Sequence, residues 1–133
     1  MKGILNNYFI SVIASASLVC GSVYYYSDAI QNHIDETGMR QGSWVITGAM
    51  TKDSAYELGD TVEEGNFIDD KKVGTWNKYS PSGKLRSQIT YENNRPIGAY
   101  IIYYENGIVE ESGNWQRNKN TGEFKRNYSN GHP

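Results

Sequence analysis

The chain has 133 residues, 13 basic and 15 acidic side chains, a net charge of −2, one cysteine and two histidines. That length fits one small domain; a lone cysteine closes no intramolecular disulfide, and two histidines with one cysteine build no zinc site without carboxylates. The charge gives no electrostatic reason to expect a nucleic-acid partner, whereas 14 glycines, 11 tyrosines, three tryptophans and three phenylalanines are sheet and turn material.

The segment 1–27 reads as a separate piece. Lys2 is the only charge before Asp28, and the run from Tyr8 to Gly21 is apolar or small. A basic n-region, an apolar h-region and small residues suited to signal peptidase make a signal segment, with candidate cleavage points at Gly21 and at Ala14-Ser15-Ala16. A second reading is a retained hydrophobic helix as anchor. The run from Tyr8 to Tyr26 is close in length to the roughly 20 residues that span a bilayer, and Tyr24-Tyr25-Tyr26 would then lie at the interface. A third is a lipoprotein acylated at Cys20, from whose usual lipobox Ser17-Leu18-Val19 departs. A buried N-terminal helix of a cytosolic fold is the remaining one. The three export readings place residues 28–133 outside the cytoplasm, in the periplasm or cell envelope of a bacterium. Residues 28–41 read as a linker.

From there the chain repeats at a constant step. Gly59, Gly83, Gly107 and Gly131 are evenly spaced, and Gly74, Gly98 and Gly122 keep the same spacing. Phe67, Tyr91 and Trp115 form one aromatic column, and Trp76, Tyr100 and Phe124 another. The units span 60–83, 84–107 and 108–131. A partial unit, 42–59, precedes them: Gly42-Ser43-Trp44 matches Gly74-Thr75-Trp76, with an insertion over 47–57 that reads as a solvent-exposed loop or extended hairpin.

Each unit reads as a β-hairpin. Val62–Ile68 and Val73–Ser80 are predicted strands joined by Asp69-Asp70-Lys71-Lys72, an exposed turn of balanced charge. The later hairpins turn at Glu92 to Pro96 and at Arg117 to Asn120. Period-2 alternation puts the glycine and ring columns on one face and Glu64, Asn66, Gln88, Thr90, Ser112 and Asn114 on a wet one. The fold class is therefore all-β: an elongated single antiparallel sheet of stacked hairpins behind the hydrophobic segment. Gly74, Trp76, Gly98, Gly122, Phe124, Phe67, Tyr91 and Trp115 are its structural positions.

Glu64-Gly65-Asn66-Phe67, Val73-Gly74-Thr75-Trp76, Tyr79 and Ser82-Gly83-Lys84 together resemble MORN repeats. More closely, the pattern resembles the bacterial MORN-like repeats of the YwqK-type toxin–antitoxin antitoxin family, and Asn32 through Trp44 is similar to the opening of its exported members. The resemblance covers about residues 32–131. It implies stacked hairpins in a twisted antiparallel sheet and, for the family label, neutralisation of a toxin in the cytoplasm. Thr121-Gly122-Glu123-Phe124 is a polar version of the motif, and Ile89 replaces the glycine of Gly65 and Gly113. A looser likeness to choline- or glucan-binding repeats lies in Gly98 to Tyr104, with a different period and ring spacing.

Candidate chemistry is sparse. His33 and His132 belong to no repeat column and read as solvated. The pairs Asp35-Glu36, Glu63-Glu64, Asp69-Asp70 and Glu110-Glu111 are sequence neighbours, which point to opposite faces of a strand and make poor acid–base dyads. No nucleophile elbow, phosphate loop, zincin motif or EF-hand loop occurs. The reading is non-enzymatic, with no cofactor and no metal. Tyr79, Tyr100, Tyr103, Tyr104 and Tyr128 are the candidate binding surface, for a protein, a glycan or a lipid headgroup. Lys125 and Arg126 protect the last strand, and the strand of Trp44 is a leading edge open to strand addition or self-association. The function expected is an exported scaffold or protein-binding module of the cell envelope; an antitoxin-like protein and a wall-glycan binder are the alternatives.

Overall fold

A computed structural model describes residues 31–116 and 119–133. The hydrophobic leader, Cys20, residues 28–30 of the linker and turn residues Arg117 and Asn118 lie outside the described residues. Among those described, no helix is long and apolar enough to cross a membrane.

The described chain is one antiparallel sheet in which strand order follows chain order. The strands are β1 (His33–Ile34), β2 (Arg40–Thr47), β3 (Thr61–Ile68), β4 (Lys71–Tyr79), β5 (Leu85–Glu92), β6 (Arg95–Tyr103), β7 (Val109–Gln116), β8 (Lys119–Asn120) and β9 (Lys125–Arg126). Both β8 and β9 pair with β7, so the last strand is interrupted over residues 121–124.

Two kinds of turn alternate from β3 onward, while the β1–β2 turn, Asp35–Met39, has the bonds of the second kind. Within hairpins, Asp69-Asp70 and Asn93-Asn94 each hold two consecutive residues at positive φ, between 48° and 65°. That is the two-residue turn whose twist matches the strands, and Asp and Asn tolerate it best among residues with side chains. Lys71 and Lys72, read as turn residues, therefore belong to β4. Between hairpins, the amide of Ser80 donates to the carbonyl of Lys84 and that of Gly83 to Ser80. The same pair of bonds closes Tyr104–Ile108 and Tyr128–His132. Gly59, in phase with Gly83, does not take their positive φ, because the insertion has displaced it. That insertion is a loop with one 3-10 turn, Gly48–Met50, tied down by the Tyr56 hydroxyl on the carbonyl of Tyr79 (2.8 Å).

Register explains the columns. Between hairpins the pairing is regular, with Gly42 opposite Phe67, Gly74 opposite Tyr91 and Gly98 opposite Trp115. Within hairpins the second strand bulges: Gly65 alone faces Gly74, Thr75 and Trp76 between the pairs Asn66–Val73 and Glu64–Asn77. The same step recurs at Ile89 to Tyr91 against Pro96 to Tyr100. Gly74 and Gly98 turn this bulge at φ 67° and 63°, a region costly for residues with a Cβ. The bulge swings Trp76 over Gly65, where an added Cβ would lie 2.4 Å from the indole. Tyr100 covers Gly113, its regular partner on the following strand, at 3.0 Å.

The core is a single layer of rings on one face. Phe67 is 1 % exposed, Trp76 and Tyr100 are 3 % exposed, and Trp44 is also buried. Phe67 meets Trp44 and Trp76 edge-on, at 5.7 and 4.8 Å between centroids. Two expectations need correction. Residues 31–41 are not a linker: β1 and the turn at 35–38 cover β2, so the strand of Trp44 is not an open edge. Phe124 is 49 % exposed and outside any strand, unlike its counterparts Trp76 and Tyr100, because no further strand lies beyond it among the described residues.

Candidate binding surface

The ring face carries cations that the spacing did not reveal. Arg40 stands two positions before Gly42, and Lys72 two before Gly74. The Arg40 guanidinium lies 3.9 Å from the Phe67 ring centre and bonds Asp70 at 2.6 Å. The Lys72 ammonium lies 4.1 Å from the Trp76 ring and 5.4 Å from Tyr91, and pairs with Glu63 at 2.5 Å. Each cation rests on the negative face of a ring and is neutralised by one carboxylate. The signal was in the sequence, as a basic residue at a fixed offset from the bulge glycine, but in β4 it was hidden by the reading of Lys72 as turn.

The backbone of the same two residues is clamped by the next hairpin. Asp70 accepts from the Arg40 amide at 3.0 Å and its own amide donates to the Arg40 carbonyl at 3.2 Å. Asn94 does the same to Lys72, at 2.7 and 3.1 Å. Pro96 takes this position in the unit 84–107 and has no amide hydrogen to give.

The opposite face is a polar ladder. The Tyr79 hydroxyl donates to Glu64 (2.5 Å), as does Asn77 (3.0 Å); Gln88 donates to Asn77 (3.1 Å), and Tyr103 to Gln88 (3.3 Å). The bond from Tyr79 is the main reason the Glu64 carboxyl sits below its ordinary value, and it holds the Tyr79 hydroxyl above its own. On the edge formed by the turns between hairpins, Ser80 and Ser82 donate to Glu105, whose pKa is lowered chiefly by Ser82. At the opposite edge, Asp35 accepts from the Thr37 hydroxyl and Gln41, which hold its carboxyl well below the carboxylate range.

The candidate tyrosines therefore do not share one surface. Tyr100 is buried on the ring face, with its hydroxyl on Glu111 (2.7 Å). Tyr79 and Tyr103 belong to the polar ladder. Tyr104 reaches the carbonyl of Asn127 (2.9 Å), and Tyr128 is exposed beside it. Tyr103 ends β6 whereas Tyr104 opens the turn that follows, so even these sequence neighbours are placed apart. The structural positions Gly74, Trp76, Gly98, Phe67, Tyr91 and Trp115 lie together on the ring face or its bulges, and Gly122 keeps the positive φ of its column. An open groove of about 1000 Å³ runs past Tyr100, Gly113 and Trp115 to Gly122 and Lys125.

No curated protein and no solved structure matches the chain. A family model described as a MORN repeat variant matches residues 72–93 and 96–117. The matches start in step with Gly74 and Gly98, and each joins a bulged second strand to the first strand of the next hairpin. The β4–β5 and β6–β7 pairs are thus MORN-like repeats.

Proposed function

We propose that the chain is a non-enzymatic repeat module, exported to the bacterial cell envelope, that binds a protein or serves as a structural scaffold there. The observation that carries this reading is the pair of matches to a MORN repeat, a repeat of architecture and not of catalysis. The carboxylates favour it too. Glu63, Glu64, Asp70 and Glu105 are each engaged by a lysine, tyrosine, arginine or serine that builds the sheet. Export is supported by the uncharged stretch from Gly3 to Ser27.

Cell fractionation with N-terminal sequencing of the mature protein tests export. A chain in the envelope fraction, beginning near Gly21 or blocked by a lipid at Cys20, is the expected result. A full-length cytoplasmic chain would instead favour the antitoxin-like reading. Pull-down from envelope extract tests the scaffold, and a monomeric protein that recovers nothing would count against it.

A further inference from the structure

Among the described residues, the two ends of the sheet leave complementary gaps. Inside the molecule, every first strand is flanked by two second strands. Phe67 pairs with Lys72 on one side and Gly42 on the other; Tyr91 pairs with Pro96 and Gly74. Ile34 pairs with Arg40, which stands where Lys72 does, and the Trp44 indole donates to the carbonyl of His33 as that of Trp76 does to Asn66, so Ile34 takes the Phe67 position, although across a longer turn. Its other side has no described strand, and Ile34 is 56 % exposed where Phe67 is 1 %.

The far end offers the missing element. Gly122 continues the column of Gly74 and Gly98 and holds φ 80°, with open space where a Cβ would stand. Phe124, in the column of Trp76 and Tyr100, is exposed for want of a strand beyond it. Net charge agrees: Lys119, Lys125 and Arg126 outnumber Glu123 at this end, although Lys125 pairs with Glu123 (3.2 Å) and Arg126 with Glu110 (4.0 Å), and Asp35 and Glu36 outnumber Arg40 at the other.

We infer that copies of this chain stack head to tail, with Gly122 and Glu123 of one copy paired antiparallel to β1 of the next, Gly122 opposite Ile34. The occupant of each free edge is thus a second copy. The proposal deepens the scaffold reading by naming its partner. A heterologous contact of this kind closes into a ring or runs on as a filament, and it removes two sheet edges from solvent.

The internal pairs Asn66–Ser43 and Thr90–Thr75 place Glu123 opposite His33 across the new contact. Both are exposed. The test uses the full chain in mild detergent, with Cys20→Ser as background. His33→Cys and Glu123→Cys chains, mixed under oxidising conditions, are expected to give a cross-linked heterodimer, while each alone gives none. A disulfide formed by either chain alone, or none in the mixture, overturns the proposal. A second arm combines Ile34→Lys with Phe124→Lys chains. Each alone is expected to be monomeric by sedimentation, and the mixture to form a dimer and nothing larger, since one intact edge remains on each. A mixture that stays monomeric overturns it. If envelope extract yields another protein while the cysteines stay unlinked, the scaffold reading stands and this one falls.

Discussion

Gly65 and Gly74 are both glycines for different reasons, and substitution separates them. An alanine at 65 would put its Cβ 2.4 Å from the Trp76 indole. The ring must shift, so Gly65→Ala is expected to cost about 1–3 kcal/mol in urea denaturation. Gly74 has open space but φ 67°; there alanine costs about 1–2 kcal/mol of backbone strain alone. The carboxylates respond to pH in one direction. Asp35, Glu64, Asp70 and Glu105 all have lowered folded-state pKa values, through bonds chiefly from Thr37, Tyr79, Arg40 and Ser82. A depressed pKa contributes stability that is present above the unfolded value, about 4, and is lost as pH falls through the folded one. The urea midpoint is expected to drop below about pH 4. Glu64→Gln should lower it at neutral pH and flatten the acid slope.

At the scale of the element, the hairpin is held by its turn and by the cation its neighbour contributes. Asn94 supplies both a positive φ of 65° and an oxygen for the Lys72 amide. Asn94→Gly keeps the conformation and loses the clamp, an expected cost of about 1 kcal/mol. Asn94→Ala loses both and should cost roughly 1 kcal/mol more. Differential thermal melting of the two variants checks the order. Lys72→Met keeps the apolar stem over Trp76 but removes the charge, for about 1 kcal/mol. In that background Glu63→Gln is expected to add nothing, because its partner at 2.5 Å is already gone.

Across the whole molecule, burial is uneven. The ring cluster of Trp44, Phe67 and Trp76 joins β2, β3 and β4, while β8 and β9 at the far end are two-residue strands that leave Lys119, Lys125 and Arg126 exposed. Each strand pairs only with its neighbours, so stability is a sum over adjacent hairpins. Phe67→Ala is expected to cost about 3–5 kcal/mol. Hydrogen exchange of that variant should show β2 to β4 opening before β5 to β7; uniform loss of protection along the sheet would contradict nearest-neighbour coupling.

Much of this was legible beforehand because it is periodic. Glycine and ring columns at one constant spacing determined the all-β class and the hairpins, and the register then paired Phe67, Tyr91 and Trp115 with the bulge glycines. Turn composition marked where the turns lie, since Asp-Asp and Asn-Asn accept positive φ, but not where strands begin: Lys71-Lys72 and Arg95-Pro96, read as turn, are strand. What periodicity could not decide is set by neighbours distant in sequence. The reach of Asp70 back to Arg40 makes part of an apparent linker into sheet. A bulge of one residue against three puts Lys72 over Trp76 instead of in solvent. The absence of a described strand beyond residues 121–126 exposes Phe124, although its column is a buried one. A repeat specifies what each unit offers its neighbours; only the assembled sheet decides which offers are taken, because burial needs a strand on both sides.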